Sequence, residues 1–213
     1  MGLLLFNRYQ LTRKLEKQQA VEAERQRISS DMHDDLGAGL TRIKYIADDI
    51  TAAAEDPKET REKMDKLRTA SAGLVESMGE IIWAMSDKNN KLSDTLYYLR
   101  SYAVNYCDEN NLECRFAMPE NFEDSFVTGH FRRNIFLMMK ETLHNIVKHA
   151  EARKVTIDLL ILHTSLELVV KDDGTGITDF ENTTGNGHIN LKKRAAELQG
   201  HVEFSNEKGL RVR

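Results

Sequence analysis

The sequence predicts an α+β chain: a helical hairpin that pairs into a dimeric four-helix bundle, followed by a two-layer α/β sandwich. Three observations predict it. Apolar residues recur at spacings of three and four through the N-terminal part, and an Asp56-Pro57 pair interrupts that recurrence once. Beyond Leu112 the period switches to alternation in short runs bounded by glycine and asparagine. Helical pattern followed by mixed strand and helix pattern describes two layered units.

Composition sets the frame. A chain of 213 residues with 40% hydrophobic and 30% charged residues has enough material for one or two globular domains with a substantial core. Its net charge of -4 argues against a general nucleic-acid binder. The two cysteines, Cys107 and Cys114, have no metal-type spacing and form no disulfide framework, so both read as reduced cytosolic thiols. No apolar run reaches the length of about eighteen residues that a membrane span needs. Leu3-Leu4-Leu5-Phe6, followed by Arg8, Arg13 and Lys14, fits either the cytoplasmic end of a membrane anchor or the apolar start of a helix.

Element by element, residues 1–19 read as a membrane-proximal or coiled-coil segment, with Leu11 and Leu15 as a weak seam. The first strong stripe is Ile28, Met32, Leu36, Leu40, Ile43, Ala47 and Ile50. Asp56-Pro57-Lys58-Glu59 supplies an N-cap, a proline at the first helical position and an early acidic residue, and so starts a second helix. Its stripe is Met64, Leu67, Ser71, Leu74, Met78, Ile81 and Met85. One hairpin cannot cover both stripes, so residues 20–88 are expected to dimerise into a four-helix bundle. Residues 89–213 then give a helix over 96–110, a strand over 112–118, a helix over 131–150, strands over 155–162 and 166–171, and a helix over 189–199. A closing hairpin turns at Asn206-Glu207-Lys208-Gly209, and the strands are expected to run antiparallel. The 131–150 helix should bury Ile135, Met139, Leu143, Ile146 and Ala150.

Chemistry-bearing residues stand off these stripes. His33 neighbours the seam residue Met32 by about 100° of helix rotation, which leaves its ring beside the bundle. Asp34 can hold one imidazole nitrogen and sharpen the other as a nucleophile. Gly37 and Gly39 each cost about 1 kcal/mol in a helix, which calls for close helix packing or for room beside His33. On the 131–150 helix, Glu141, Asn145 and Lys148 are spaced by four and three. They offer a carboxylate to activate a group, an amide oxygen for Mg²⁺ and an amine for phosphate. Asp172 with Gly174 and Gly176 makes a turn that backbone can share closely with a ligand. Gly185 and Gly187 precede a helix start suited to polyphosphate, and residues 180–184 could fold over it as a lid.

Taken together, the Asn145 helix, the Asp172-x-Gly174-x-Gly176 turn and the Gly185-x-Gly187 pair resemble the nucleotide-site boxes of the GHKL (Bergerat) ATPase fold. The Glu24-Arg25-x-Arg27-Ile28 and His33-Asp34-x-Leu36-Gly37 block resembles the phosphoacceptor helix of two-component sensor histidine kinases of the nitrate-sensor class. The similarity spans roughly residues 20–213. It implies a histidine kinase using ATP and Mg²⁺, a homodimer, a response-regulator partner and a place as the cytosolic part of an inner-membrane sensor. His33 would be the phosphoacceptor, Asp34 its acid/base neighbour, Glu141 the polarising carboxylate, Asn145 the Mg²⁺ ligand and Asp172 the adenine acceptor. Gly174, Gly176, Gly185 and Gly187 would shape pocket and lid. Two positions depart from the family pattern: Ala38 stands where many members carry a glutamine, and Leu210 follows Gly209 where threonine is usual. Two other readings fit the same residues, a nucleotide-gated dimerisation module without histidine chemistry and a plain GHKL-type ATPase.

Overall fold

The computed structural model describes residues 2–52, 57–86, 90–162, 165–176 and 187–213, with side chains described except at 2–5, 7, 16–18, 20–35, 52 and 85. The chain forms two compact units, Met1–Asp87 and Lys88–Arg213.

The first unit is α1 (Gly2–Ala52) against α2 (Pro57–Met85). Pro57 opens α2 and Glu59 sits in its first turn, while Asp56, the expected cap, lies outside the described residues. The helices run antiparallel. Gly39 packs against Leu74, whose Cδ1 is 2.6 Å from where a Cβ would stand, and Lys63 Nζ donates to the Asp49 carbonyl at 3.2 Å. Gly39 is therefore bare for helix packing, whereas a Cβ on Gly37 would meet nothing within 4 Å.

The seam differs from the expected stripe. From Leu67 on, the covered apolar and small positions of α2 are Leu67, Ala70, Ser71, Leu74, Ser77, Ile81, Trp83 and Ala84, so Leu67, Ser71, Leu74 and Ile81 of the expected stripe are in the seam while Met64 and Met78 are not. Met64, Val75, Met78 and Ile82 form a second apolar row that stays exposed, Val75 at 70% and Ile82 at 66%. On α1, Leu40 is likewise exposed at 58%, while Gly39, Ile43, Ile46, Ala47 and Ile50 are partly covered. Two apolar rows on one helix both satisfy a three-four period, so periodicity alone mixed them. Ile28 and Met32 have side chains outside the described residues.

The second unit begins with α3 (Leu92–Glu109), whose first turn is tied by Asp124: its carboxylate accepts from Ser93 N at 3.0 Å and from Ser93 Oγ at 2.9 Å. Strand β1 (Glu113–Ala117) follows, then α4 (Gly129–Asn145), capped by Thr128, whose hydroxyl accepts from Phe131 N at 3.1 Å. A π turn, Ile146–Ala150, continues α4. Strands β2 (Lys154–Leu162) and β3 (Ser165–Asp172), helix α5 (Gly187–Glu197) and strands β4 (Phe204–Asn206) and β5 (Leu210–Val212) complete the unit.

The five-stranded sheet has the order β1-β2-β3-β5-β4. It is mixed, because β1 pairs parallel with β2. The expectation of antiparallel strands throughout fails there: α4 lies between β1 and β2 in the chain, and a crossover helix returns the second strand in the direction of the first. Alternation along β2 buries Val155, Ile157 and Leu159. Leu96 and Leu99 of α3 are buried in the same core, as are Ile135, Phe136, Met139, Leu143 and Ile146 of α4 and its π turn, and Leu191 of α5.

Candidate functional site

The Asp-x-Gly-x-Gly turn is the best-defined polar feature of the second unit. Asp172 ends β3 at 2% exposure. Its Oδ1 accepts from Gly174 N at 2.8 Å and from Leu210 N at 3.3 Å. Its Oδ2 is buried with no hydrogen-bond partner among the described residues. A buried carboxylate oxygen left without a donor is costly, and such atoms in native folds are ordinarily completed by water or a ligand. The neighbouring Asp173 makes the opposite choice. Its Oδ1 accepts from Arg153 N at 2.8 Å and Lys154 N at 2.9 Å, and these bonds hold its pKa below the ordinary carboxylate value. It clamps the start of β2 and faces solvent.

The glycines of the turn are fixed by what surrounds them. A Cβ on Gly174 would stand 2.1 Å from the Ala150 carbonyl oxygen, and Thr175 N donates to that same oxygen at 2.9 Å. The turn is thereby pressed onto the end of the π turn. Across from it, Gly209 has φ +124° and a Cβ there would lie 2.0 Å from the Asp172 carbonyl oxygen. Gly209→Ala should therefore lower the melting temperature, with a loss of about 2 kcal/mol or more. A thermal melt coincident with the parent's would refute that packing.

A second polar cluster is built by α4 and α5. Glu141 and Asn145 share a face one turn apart, and Asn145 Nδ2 donates to Glu141 Oε1 at 3.4 Å, so the amide meets the carboxylate through its NH₂ group and not through Oδ1. Gly187, the first residue of α5, stands against both: a Cβ would lie 2.5 Å from Glu141 Oε1 and 3.2 Å from Asn145 Nδ2. Helix-start amides thus adjoin a carboxylate and an amide, with the partial positive charge of α5 aimed at the same place. His188 follows, its ring edge-on to Phe204 with centroids 4.7 Å apart. Burial, with Lys192 nearby, pushes its pKa down against the opposing pull of Glu141.

The structure thus joins Glu141 to Asn145 and Gly187, and groups Asp172, Gly174 and Gly176 with the β4–β5 hairpin. Lys148 is exposed on the π turn, and among the described residues no hydrogen bond or ion pair ties it to Glu141 or Asn145. The α-helical spacing that aligned it with them stops at Asn145, because π geometry changes the rotation per residue. His33 and Asp34 lie within α1 with side chains outside the described residues, and Gly185 with the expected lid at 180–184 lies outside them altogether.

Sequence reasoning missed the polar tie that seats α5. Asn134, 2% exposed, accepts from Arg194 Nη1 at 3.0 Å and donates to Glu197 Oε2 at 3.2 Å, an oxygen that His130 Nε2 also approaches at 3.3 Å. These bonds hold the far end of α5 on α4 and so keep Gly187 beside Glu141. No apolar periodicity marks them. The one available signal is the polar run Arg132-Arg133-Asn134 on a helix whose neighbours are buried.

A family model described as histidine kinase matches residues 24–90. The sensor histidine kinase YvfT of Bacillus subtilis is 26% identical over 98% of this chain and 56% of its own length. The signal transduction histidine-protein kinase/phosphatase UhpB of Salmonella typhimurium is 26% identical over 90% of this chain and 38% of its own. The chain therefore spans about half or less of the length of these relatives. Among solved structures, the Acinetobacter baumannii histidine kinase AdeS matches 84% of this chain and 94% of its own with TM-score 0.52 at 16% identity, a likeness of fold.

Proposed function

We propose that this chain is the kinase core of a two-component sensor histidine kinase and moves the γ-phosphoryl group of Mg-ATP to His33 and then to a response-regulator aspartate. The observation that carries the reading is the buried, unpartnered Oδ2 of Asp172. An adenine amino group is a donor of the right polarity for it, whereas an ionised phosphate oxygen, which only accepts, is not. Gly174 and Gly176 let the turn close onto Ala150 and Asn206, which fixes Asp172 in place for the base.

Glu141, Asn145 and the start of α5 form the phosphate end of the pocket. Asn145 Oδ1 is the oxygen suited to Mg²⁺, and the ion, when bound, supplies charge neutralisation. Glu141 orients and polarises, Lys148 adds a positive charge, and Gly187 leaves room beside Glu141 and Asn145. On α1, His33 is the phosphoacceptor whose imidazole attacks phosphorus, with Asp34 as its acid/base neighbour in sequence. Transfer then depends chiefly on positioning and charge balance.

The exposed row Met64, Val75, Met78 and Ile82 supports a homodimer, since a second hairpin would cover it and complete a four-helix bundle. Among the described residues no helix is long and apolar enough to cross a membrane. Leu3 to Phe6 with the following Arg8, Arg13 and Lys14 supports an upstream anchor in the inner membrane and a cytosolic kinase.

Incubating the purified chain with γ-labelled Mg-ATP tests the proposal. The expected product is a covalent label, lost in acid and retained in alkali, and an unlabelled chain that hydrolyses ATP would replace the kinase by an ATPase. Ala38 is exposed on α1 five residues after His33 and cannot hydrogen-bond water, so the regulator's phosphoaspartate should be long-lived in the presence of this chain. Ala38→Gln should raise the dephosphorylation rate by about tenfold or more, the scale of one added positioning group. Rapid loss of label from the regulator with the unmodified chain would refute the role of Ala38.

A further inference from the structure

Cys107 and Cys114 are the only cysteines of the chain, and the fold brings them together where the proposed kinase chemistry has no use for them. Cys107 lies in the last turn of α3 and is fully buried. Cys114 is the second residue of β1, half-buried on the alternation that also covers Phe116. The chain reverses between them within a short turn: Asn111 takes φ 57°, and the Cys107 carbonyl accepts from Asn110 N at 3.2 Å and Leu112 N at 2.9 Å. That turn folds β1 back beside the end of α3, so that each thiol becomes the largest influence on the other's pKa.

We infer that Cys107 and Cys114 form a reversible dithiol/disulfide site, closed by exchange with a low-molecular-weight disulfide. The two sulfurs are unequal in the way such an exchange requires. The neighbouring Cys107 thiol lowers the Cys114 pKa, whereas Cys114 and burial raise the Cys107 pKa. Cys114 is also the one that solvent reaches. Its thiolate attacks one sulfur of the small disulfide, so that bond breaks, a mixed disulfide forms on Cys114, and the departing thiolate takes up a proton. Cys107 then gives up its proton and attacks the Cys114 sulfur. The Cys107–Cys114 bond forms, the mixed disulfide breaks, and a second small thiol leaves. Two protein thiols are oxidised and one disulfide is reduced to two thiols.

The site is separate from the nucleotide residues, yet it shares a row of the sheet with one of them. Cys114 pairs with Val155, and Val155 pairs with Asp172, so the redox pair stands about 10 Å from the base-binding carboxylate.

Intact-mass analysis after incubation with millimolar oxidised glutathione tests the inference. The expected parent product has lost two hydrogens, retains no glutathione and has no free thiol towards a chromogenic disulfide, and a small dithiol restores it. Cys107→Ala should instead accumulate one glutathione on Cys114, and Cys114→Ser should remain unmodified over the same period. A stable glutathione adduct on the parent, a disulfide between two chains, or a parent with both thiols intact would each overturn it. The parent measurement decides the question even if a variant fails to fold.

Discussion

His33→Gln should reduce labelling from γ-labelled ATP by about a hundredfold or more, the scale expected when a nucleophile is removed. Nucleotide affinity should stay within about twofold, because His33 belongs to α1 and every proposed nucleotide residue belongs to the unit Lys88–Arg213. Glutamine suits the helix and keeps polar bulk, so the hairpin should survive. Filter binding with a non-hydrolysable analogue separates the two effects. The competing readings give different results: a plain ATPase would turn over unchanged in the variant, and a nucleotide-gated dimerisation module would show no label in the parent. A His33→Gln protein that labelled as the parent does would remove His33 from the mechanism.

Asp172→Asn should weaken ATP binding by about 10- to 150-fold, the equivalent of a hydrogen bond to a charged group at about 1.5–3 kcal/mol. The geometry determines why so small a change matters. Gly174 N and Leu210 N both donate to Oδ1, so an asparagine keeps its oxygen there and turns its NH₂ group to the place of Oδ2. A donor then faces the donor of adenine. Asp173→Asn is the matched control, since its Oδ1 serves Arg153 and Lys154 and an amide oxygen can still do so. Calorimetry should find that control near the parent in affinity. Equal affinities for Asp172→Asn and the parent would withdraw the adenine role from Asp172.

Much of the fold was legible because local chemistry and tertiary packing agree. The stripe Ile135, Met139, Leu143, Ile146 and Ala150 is buried as its period requires, and Val155, Ile157 and Leu159 follow strand alternation. What failed were features that period cannot encode. Met78 fits a three-four stripe yet lies outside the hairpin seam, because α2 carries two such rows and only packing distinguishes them, and Leu40 of α1 is exposed likewise. The direction of β1 depends on the crossover that includes α4, which no residue of β1 records. The π turn likewise leaves no compositional mark, so the alignment of Lys148 with Asn145 could not be judged from spacing.

The candidate site was legible through residue types whose backbone demands are unusual. Gly174 and Gly187 are places where a Cβ would collide with Ala150 or Glu141, and glycine at such a point is readable in a sequence. The motif singled out Asp172 alone, and its division of labour with Asp173 is visible only in three dimensions: one carboxylate keeps a buried oxygen unpartnered and the other spends its oxygen on β2. Asn134, Arg194 and Glu197 stayed hidden because polar residues inside a helix pair acquire their role from partners some 60 residues away.

The most direct measurement is the position of the phosphoryl group in the chain after incubation with Mg-ATP, mapped by tandem mass spectrometry under neutral or alkaline handling. Cleavage after Arg27 and Arg42 releases a peptide whose one histidine is His33, and the chain's other six histidines fall elsewhere. The account predicts phosphate on that peptide, at the imidazole of His33 and not at Ser29 or Ser30. Phosphate on any other histidine, or on either serine with His33 unmodified, would contradict it.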